Sequence, residues 1–216
     1  RKIMNLKNFY NKNYIRTTFI FLFIFQLFFL LFTMEVKADG LKKAKDTVEL
    51  LLSEAKIHAT ETIHLDPIIR TKQIKSLIEK YINIDFMARA TTGPFWKKAT
   101  NLQKQSYKSA LLNQIINTIE VHLNKLSNLT YKTIKTEPRG TKLIYIRGII
   151  EDLDKVQPSV NLLWKVALNK ESNYQILDLE IENVSLVSSH KAETTSLLRR
   201  NKGNFDILIE KLNKPK

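Results

Sequence analysis

The chain is predicted to be an α+β protein, an antiparallel sheet of about four strands packed against a multi-helix layer. Two patterns predict it. From Leu41 to Leu126 apolar residues recur at helical spacing behind capping residues. From Tyr131 to Ile181 they alternate at period two between turn signals. Strands that follow about four helices read as an antiparallel meander.

The helices come first. Leu41, Ala44, Val48, Leu51, Leu52, Ala55 and Ala59 form one stripe, which ends near the Thr/His-rich segment before Asp66. Asp66-Pro67 is an N-cap followed by proline in the first turn, with Ile74, Leu77, Ile78, Tyr81 and Ile82 as the buried face behind it. Asp85 opens a short helix that Gly93-Pro94 ends. Thr100 and Gln103 make a capping box, so a long helix starts there and reaches about Leu126. Its apolar positions are Tyr107, Leu111, Leu112, Ile115, Ile116, Ile119, Leu123 and Leu126. That stripe is wider than one contact face needs. Burial on two sides explains it, and so does lining a cavity.

The strands follow. Tyr131–Thr136 is the first, and Pro138-Arg139-Gly140 turns into a second over Thr141–Ile150. On it Ile144, Ile146 and Ile150 share one face, while Leu143, Tyr145 and Ile149 share the other. Apolar residues on both faces imply cover on both sides, or a cavity between layers. Gly148 marks a bulge or a close approach. After Pro158 a third strand puts Val160, Leu162, Trp164, Val166 and Leu168 on one face. The fourth starts at Tyr174, with Leu177, Leu179 and Ile181 alternating with Asp178, Glu180 and Glu182. Asp178 among apolar neighbours is read as a structural contact rather than a reactive acid. Ser188 and Ser189 then offer helix caps, Arg199 and Arg200 suit the helix end, and Gly203 closes it in the left-handed conformation. Asn204 caps a last helix with Phe205, Leu208, Ile209 and Leu212 on one face.

The amino terminus has a different composition. Arg1, Lys2, Lys7, Lys12 and Arg16 precede an almost wholly apolar run, Phe19–Phe32, of 14 residues. Such a run falls short of the roughly 20 residues that a spanning helix needs. With Val36-x-Ala38 behind it, residues 1–38 are expected to be a secretory signal, leaving a domain of 39–216. An uncleaved anchor is the alternative. Residues 1–38 hold six basic residues and one acidic residue, so +9 of the total +14 charge belongs to residues 39–216. That charge fits a lysine-rich solvated surface, or attraction to anionic lipid or an acidic partner.

Several chemistries are excluded. With no cysteine, thiol catalysis, thiolate metal sites and disulfides are ruled out. His58, His64, His122 and His190 are isolated, without the spacing that holds zinc. There is no G-x-S-x-G elbow, Ser189-His190 is no nucleophile–base pair, and five scattered glycines make no phosphate loop. No basic-aromatic RNA motif is present, so no nucleic-acid partner is expected. The chain is therefore not expected to be an enzyme or to carry a cofactor or metal.

Several of these features, in register, resemble the MlaC family, the periplasmic phospholipid-binding proteins also called toluene-tolerance auxiliary components. The shared features begin with Asp85-Phe86-Met87-Ala88-Arg89, then Gly93, the aromatic pair Phe95-Trp96, Ala99-Thr100 and Gln103-Lys104. They continue with Asp178, Val184-Ser185-Leu186-Val187, Arg199-Arg200 and Gly203 before an amphipathic end. Asn183 stands where the family usually has glycine, and His190-Lys191 where a tyrosine-arginine pair is common.

The resemblance implies an apolar pocket between sheet and helices that holds phospholipid acyl chains. Ile144, Ile146, Trp164 and Val166 of the sheet would face Tyr107, Leu111, Ile115 and Ile119 of the long helix, with Phe95 and Trp96 beside them. It also implies a periplasmic carrier for the maintenance of outer-membrane lipid asymmetry. Its partners would be phospholipid, an inner-membrane ABC transporter with a lipid-binding ring subunit, and an outer-membrane lipoprotein complex. The competing readings are an interaction module without lipid cargo and a small periplasmic hydrolase.

Overall fold

The computed structural model describes residues 38–61 and 66–214, apart from the side chains of 123–126. The basic n-region, the Phe19–Phe32 run, Val36, His64 and the side chains of Leu123 and Leu126 lie outside the described residues. The chain divides into two units, Arg1–Lys42 and Lys43–Lys216. In the first, the described residues 38–42 are helical.

The second unit opens with α1, residues 43–61, which buries Ala44, Val48, Leu51 and Ala59. Helix α2, Pro67–Tyr81, starts at Asp66, whose carboxylate accepts the Ile68 N–H, and buries Ile74, Leu77, Ile78 and Tyr81. Helix α3, Ile84–Thr92, is capped by Asn83 and passes through Gly93 (φ 55°) into a 3-10 turn, Gly93–Lys98. Helix α4, Asn101–Leu126, has the Thr100–Gln103 capping box in both directions.

The sheet is antiparallel, in the order β1-β2-β3-β4-β5. Its strands are β1 Leu129–Arg139, β2 Leu143–Asp152, β3 Val160–Leu168, β4 Tyr174–Ile181 and β5 Val184–Ser185. The sequence predicts about four strands, and the fifth is a two-residue hairpin return. Glu182 and Asn183 both take positive φ (48° and 65°) in its turn, the geometry of a tight two-residue hairpin. Asn183 thus keeps the left-handed backbone that glycine usually supplies. Strand β1 also runs beyond Thr136 through Pro138, because an edge strand needs no N–H on its outer side.

The polypeptide ends in α5, Leu186–Arg200, and α6, Phe205–Asn213. Here the start differs from expectation. The cap is Ser185 rather than Ser188 or Ser189: its hydroxyl accepts the Ser188 N–H while Asp178 accepts the Val187 N–H. At the other end Lys202 N–H bonds Arg199 O and Gly203 N–H bonds Leu198 O, a Schellman closure with both residues at positive φ.

The apolar residues collect in distinct places. One cluster joins α3, α4, α5 and α6 through Ala88, Tyr107, Leu111, Leu198, Phe205 and Leu208. Another joins α1, α2 and α4 through Ala59, Ile74, Ile78, Leu112 and Ile116. Among the described residues α4 packs on α2, α3 and α6. Its wide stripe therefore serves two helical clusters at once.

Candidate functional site

The sheet presents one apolar face. Ile144 pairs with Val166 and Ile146 with Trp164 across β2 and β3, so all four side chains stand on the same side. All four are buried, Ile146 and Val166 completely. Strand β4 adds Ile176 opposite Val166, and β1 adds Tyr131, whose ring meets Trp164 edge-on at 6.4 Å. Gly148 explains that meeting. A Cβ there would lie 2.3 Å from the Tyr131 ring, so the glycine is a close approach. It also stands at a bulge, since it pairs with Thr133 where the β1 register shifts between Thr133 and Lys135; a second bulge lies at Lys165/Val166.

Two helices border this face. Helix α1 meets β1, where Thr133 donates to Glu49 (2.7 Å) and Lys56 donates to the Leu129 carbonyl (3.1 Å). The end of α2 meets β4 through the Ile82–Ile176 bridge and the Asn83 N–H to Ile176 O bond.

The expected α4 residues are distributed more finely than their common stripe implies. Tyr107 and Leu111 lie in the α3–α6 cluster, where the Tyr107 hydroxyl is 2.8 Å from that of Thr91 and its ring meets Phe205 edge-on. Burial pushes the Tyr107 phenol up, against the opposing effect of Thr91 and Thr194. Phe95 and Trp96 pack on the same cluster, Phe95 against Gly203 and Trp96 under the Lys104 ammonium. Ile119 packs against the α1–α2–α4 cluster, and Ile115 touches both. Ile115 and Ile119 are only half-buried. The four sheet residues are thus together, and the six helical residues are gathered in two neighbouring clusters.

The opposite face of the sheet is mixed, with Leu163 and Ala167 buried on β3 beside an ionic cluster. Lys165 bonds Asp178 at 2.9 Å and Glu180 at 2.5 Å. Asp178 also accepts from Ser185 (2.7 Å) and from the Val187 N–H (3.0 Å), so it fastens β4 to the start of α5. Its structural role stands. Burial favours a neutral Lys165, but Glu180 and Asp178 together hold its ammonium above the usual range. This also corrects the reading of β4: the buried residues are Ile176 and Asp178, while Ile181 is exposed. The bulge lies in β4 itself: Lys165 pairs with Asp178 and Val166 with Ile176, so Leu177 is the extra residue and Ile176 and Asp178 face opposite sides of the sheet. Leu168, expected on the apolar face of β3, is likewise exposed at the strand end.

A separate cleft of about 820 Å³ opens between α1, the end of α2 and the β3–β4 loop. Its walls include Asp46, Glu54, Glu79, Lys80, Glu171 and Asn173, and none of the ten expected lipid-contact residues. Such walls give an acyl chain little apolar surface to bury against. Within it Lys80 donates to Glu54 (2.7 Å) and holds that carboxyl below its ordinary range, against burial and with help from Tyr81. Among the described residues no group of histidines and carboxylates is placed to hold a metal.

Sequence alone does not bring Tyr131, Thr136 and Gly148 together. The available signal was an aromatic residue on a strand whose neighbour carries a glycine.

Comparison with known proteins defines the class first. The fold is that of a phospholipid-binding protein from Ralstonia solanacearum, solved in complex with a phospholipid. The match has a TM-score of 0.65 at 18% identity and covers 79% of this chain and 95% of that one. Residues 46–214 match the family model described as MlaC protein, and the chain belongs to the MlaC family. No helix among the described residues is long and apolar enough to cross a membrane.

Proposed function

We propose that the chain is a periplasmic phospholipid carrier that holds acyl chains against the apolar face of its sheet and shuttles lipid between membrane complexes. The observation that carries this reading is the buried layer of Ile144, Ile146, Trp164 and Val166 on one face of the sheet. Family membership and the phospholipid bound to the Ralstonia solanacearum protein support it. Ile115 and Ile119 are half-buried on α4, and we take them as the helical residues that meet the chains.

The energetics require such a slot. Exposing hydrocarbon costs ~0.8 kcal/mol per CH₂, so two chains of roughly 30 methylenes would cost about 24 kcal/mol in open water. The headgroup can stay in solvent, which makes its selectivity weak. Direction must come from partners, an inner-membrane ABC transporter with a lipid-binding ring subunit and an outer-membrane lipoprotein complex. The test is native mass spectrometry of protein purified from a membrane-containing host. A mass increment equal to one phospholipid is expected; protein that never carries lipid is an interaction module instead.

A further inference from the structure

The apolar face of the sheet contains three polar atoms that do not belong in hydrocarbon. The Tyr131 hydroxyl, the Thr136 hydroxyl and the Trp164 indole N–H are all shielded from solvent and make no well-formed hydrogen bond, although the Tyr131 hydroxyl lies near the Thr133 and Trp164 side chains. Their positions are related. Thr136 pairs with Ile146, which pairs with Trp164, so the two flank one residue in a single row across three strands. Tyr131 enters from the neighbouring end of β1, and its ring crosses Gly148 to meet Trp164 at 6.4 Å. Two other unpartnered oxygens, of Gln73 and Gln114, belong to α2 and α4.

Buried polar groups are normally paired, and an orphan in a native core calls for a ligand or a water. The indole is a donor only, and each hydroxyl can both donate and accept. Burial raises the Tyr131 phenol, against the opposing effect of Thr133 and Trp164, so it keeps its proton at neutral pH. With the indole N–H directed at the neighbouring Tyr131 oxygen, two hydroxyl protons on an apolar wall remain for an acceptor that arrives attached to hydrocarbon. A phospholipid carries such an acceptor where each acyl chain joins the glycerol, the ester carbonyl.

We infer that Tyr131, Thr136 and Trp164 form a polar socket for an acyl ester carbonyl of the bound lipid. The inference rests on the carrier reading. It adds a selectivity that the hydrocarbon slot alone does not have: lipids with ester-linked chains are held in preference to ether-linked ones of equal length. A dialkyl lipid fills the same slot but leaves the donors unpaired.

The test is a competition. Delipidated protein is incubated with vesicles of equal parts diacyl and dialkyl phosphatidylcholine of matched chain length, and the bound lipid is read by native mass spectrometry. The unmodified protein should take diacyl lipid with a preference of about tenfold, the scale of one buried hydrogen bond. The doubly substituted Tyr131→Phe, Thr136→Val protein, which loses both hydroxyls at nearly constant volume, should bring that ratio close to one. Equal uptake by the unmodified protein overturns the socket while leaving the carrier intact, and so does a substituted protein that keeps the preference. Uptake of neither lipid overturns the carrier reading and the socket with it. The unmodified protein alone decides the matter if the substituted one fails to fold.

Discussion

The Tyr131 ring lies directly over Gly148, so close that a single added carbon would sit 2.3 Å from it. The glycine is therefore what allows an aromatic residue on the edge strand to reach Trp164 on β3. Gly148→Ala must push the ring off its seat. Overpacking of this kind costs about 1–3 kcal/mol, and the loss should appear in urea unfolding as a lower midpoint at unchanged slope. An unaltered midpoint means that the ring has room to move aside.

Asp178 binds a lysine, a serine and a backbone N–H at once. Asp178→Ala leaves Lys165 with Glu180 alone and frees the first turn of α5. Hydrogen bonds to charged groups contribute about 1.5–3 kcal/mol each, so the domain should lose several kcal/mol. Protection from amide exchange should fall at Val187 and Ser188 first. Equal loss of protection across all helices contradicts a local fastening role.

Tyr107→Phe removes one buried hydrogen bond and leaves Thr91 still bonded to the Met87 carbonyl. The expected cost is about 1 kcal/mol, the net worth of a neutral pair. Thermal unfolding measures it. A loss several times larger shows that the hydroxyl also organises the packing on Phe205.

Stability should fall at both ends of the pH range. Glu54 is held below its ordinary pKa by Lys80, so its contribution is full above the unfolded carboxyl value, ~4.3, and is lost as pH falls through the lower folded value. Lys165 is raised, so its contribution is full below ~10.4 and is lost as pH rises through the higher folded value. Glu54→Gln should flatten the acid limb of a plot of urea midpoint against pH and also weaken the share of the alkaline limb that belongs to Lys80, which Glu54 raises, leaving the Lys165 share in place. An unchanged acid limb assigns that limb to other carboxylates.

A charge in the slot should reduce lipid load. Ile115 is half-buried whereas Val166 is fully buried, so Ile115→Glu is the informative change and Val166→Asp is expected to unfold the domain. Circular dichroism and native mass spectrometry together read the result. A folded Ile115→Glu protein with a full lipid load places the acyl chains elsewhere.

Local chemistry made much of this protein legible from sequence. Asp66, Thr100 with Gln103, Asn204 and Gly203 act where sequence places them, because a cap answers only to the backbone groups within one turn. Period-two alternation likewise predicts β2 and β3 and puts Ile144, Ile146, Trp164 and Val166 on one face. Long-range pairing decided the rest. The start of α5 moved to Ser185 because Asp178, seven residues earlier, takes up its N-terminal donors. The buried residues of β4 differ from simple alternation because Leu177 is an extra residue in that strand, which puts Ile176 and Asp178 on opposite faces. The α4 stripe was visible as too wide, but its division between two helical clusters depends on where α2 and α6 come to rest. The meeting of Tyr131 with Trp164 was beyond the sequence altogether, since it needs three strands in register and the one residue between them that has no side chain.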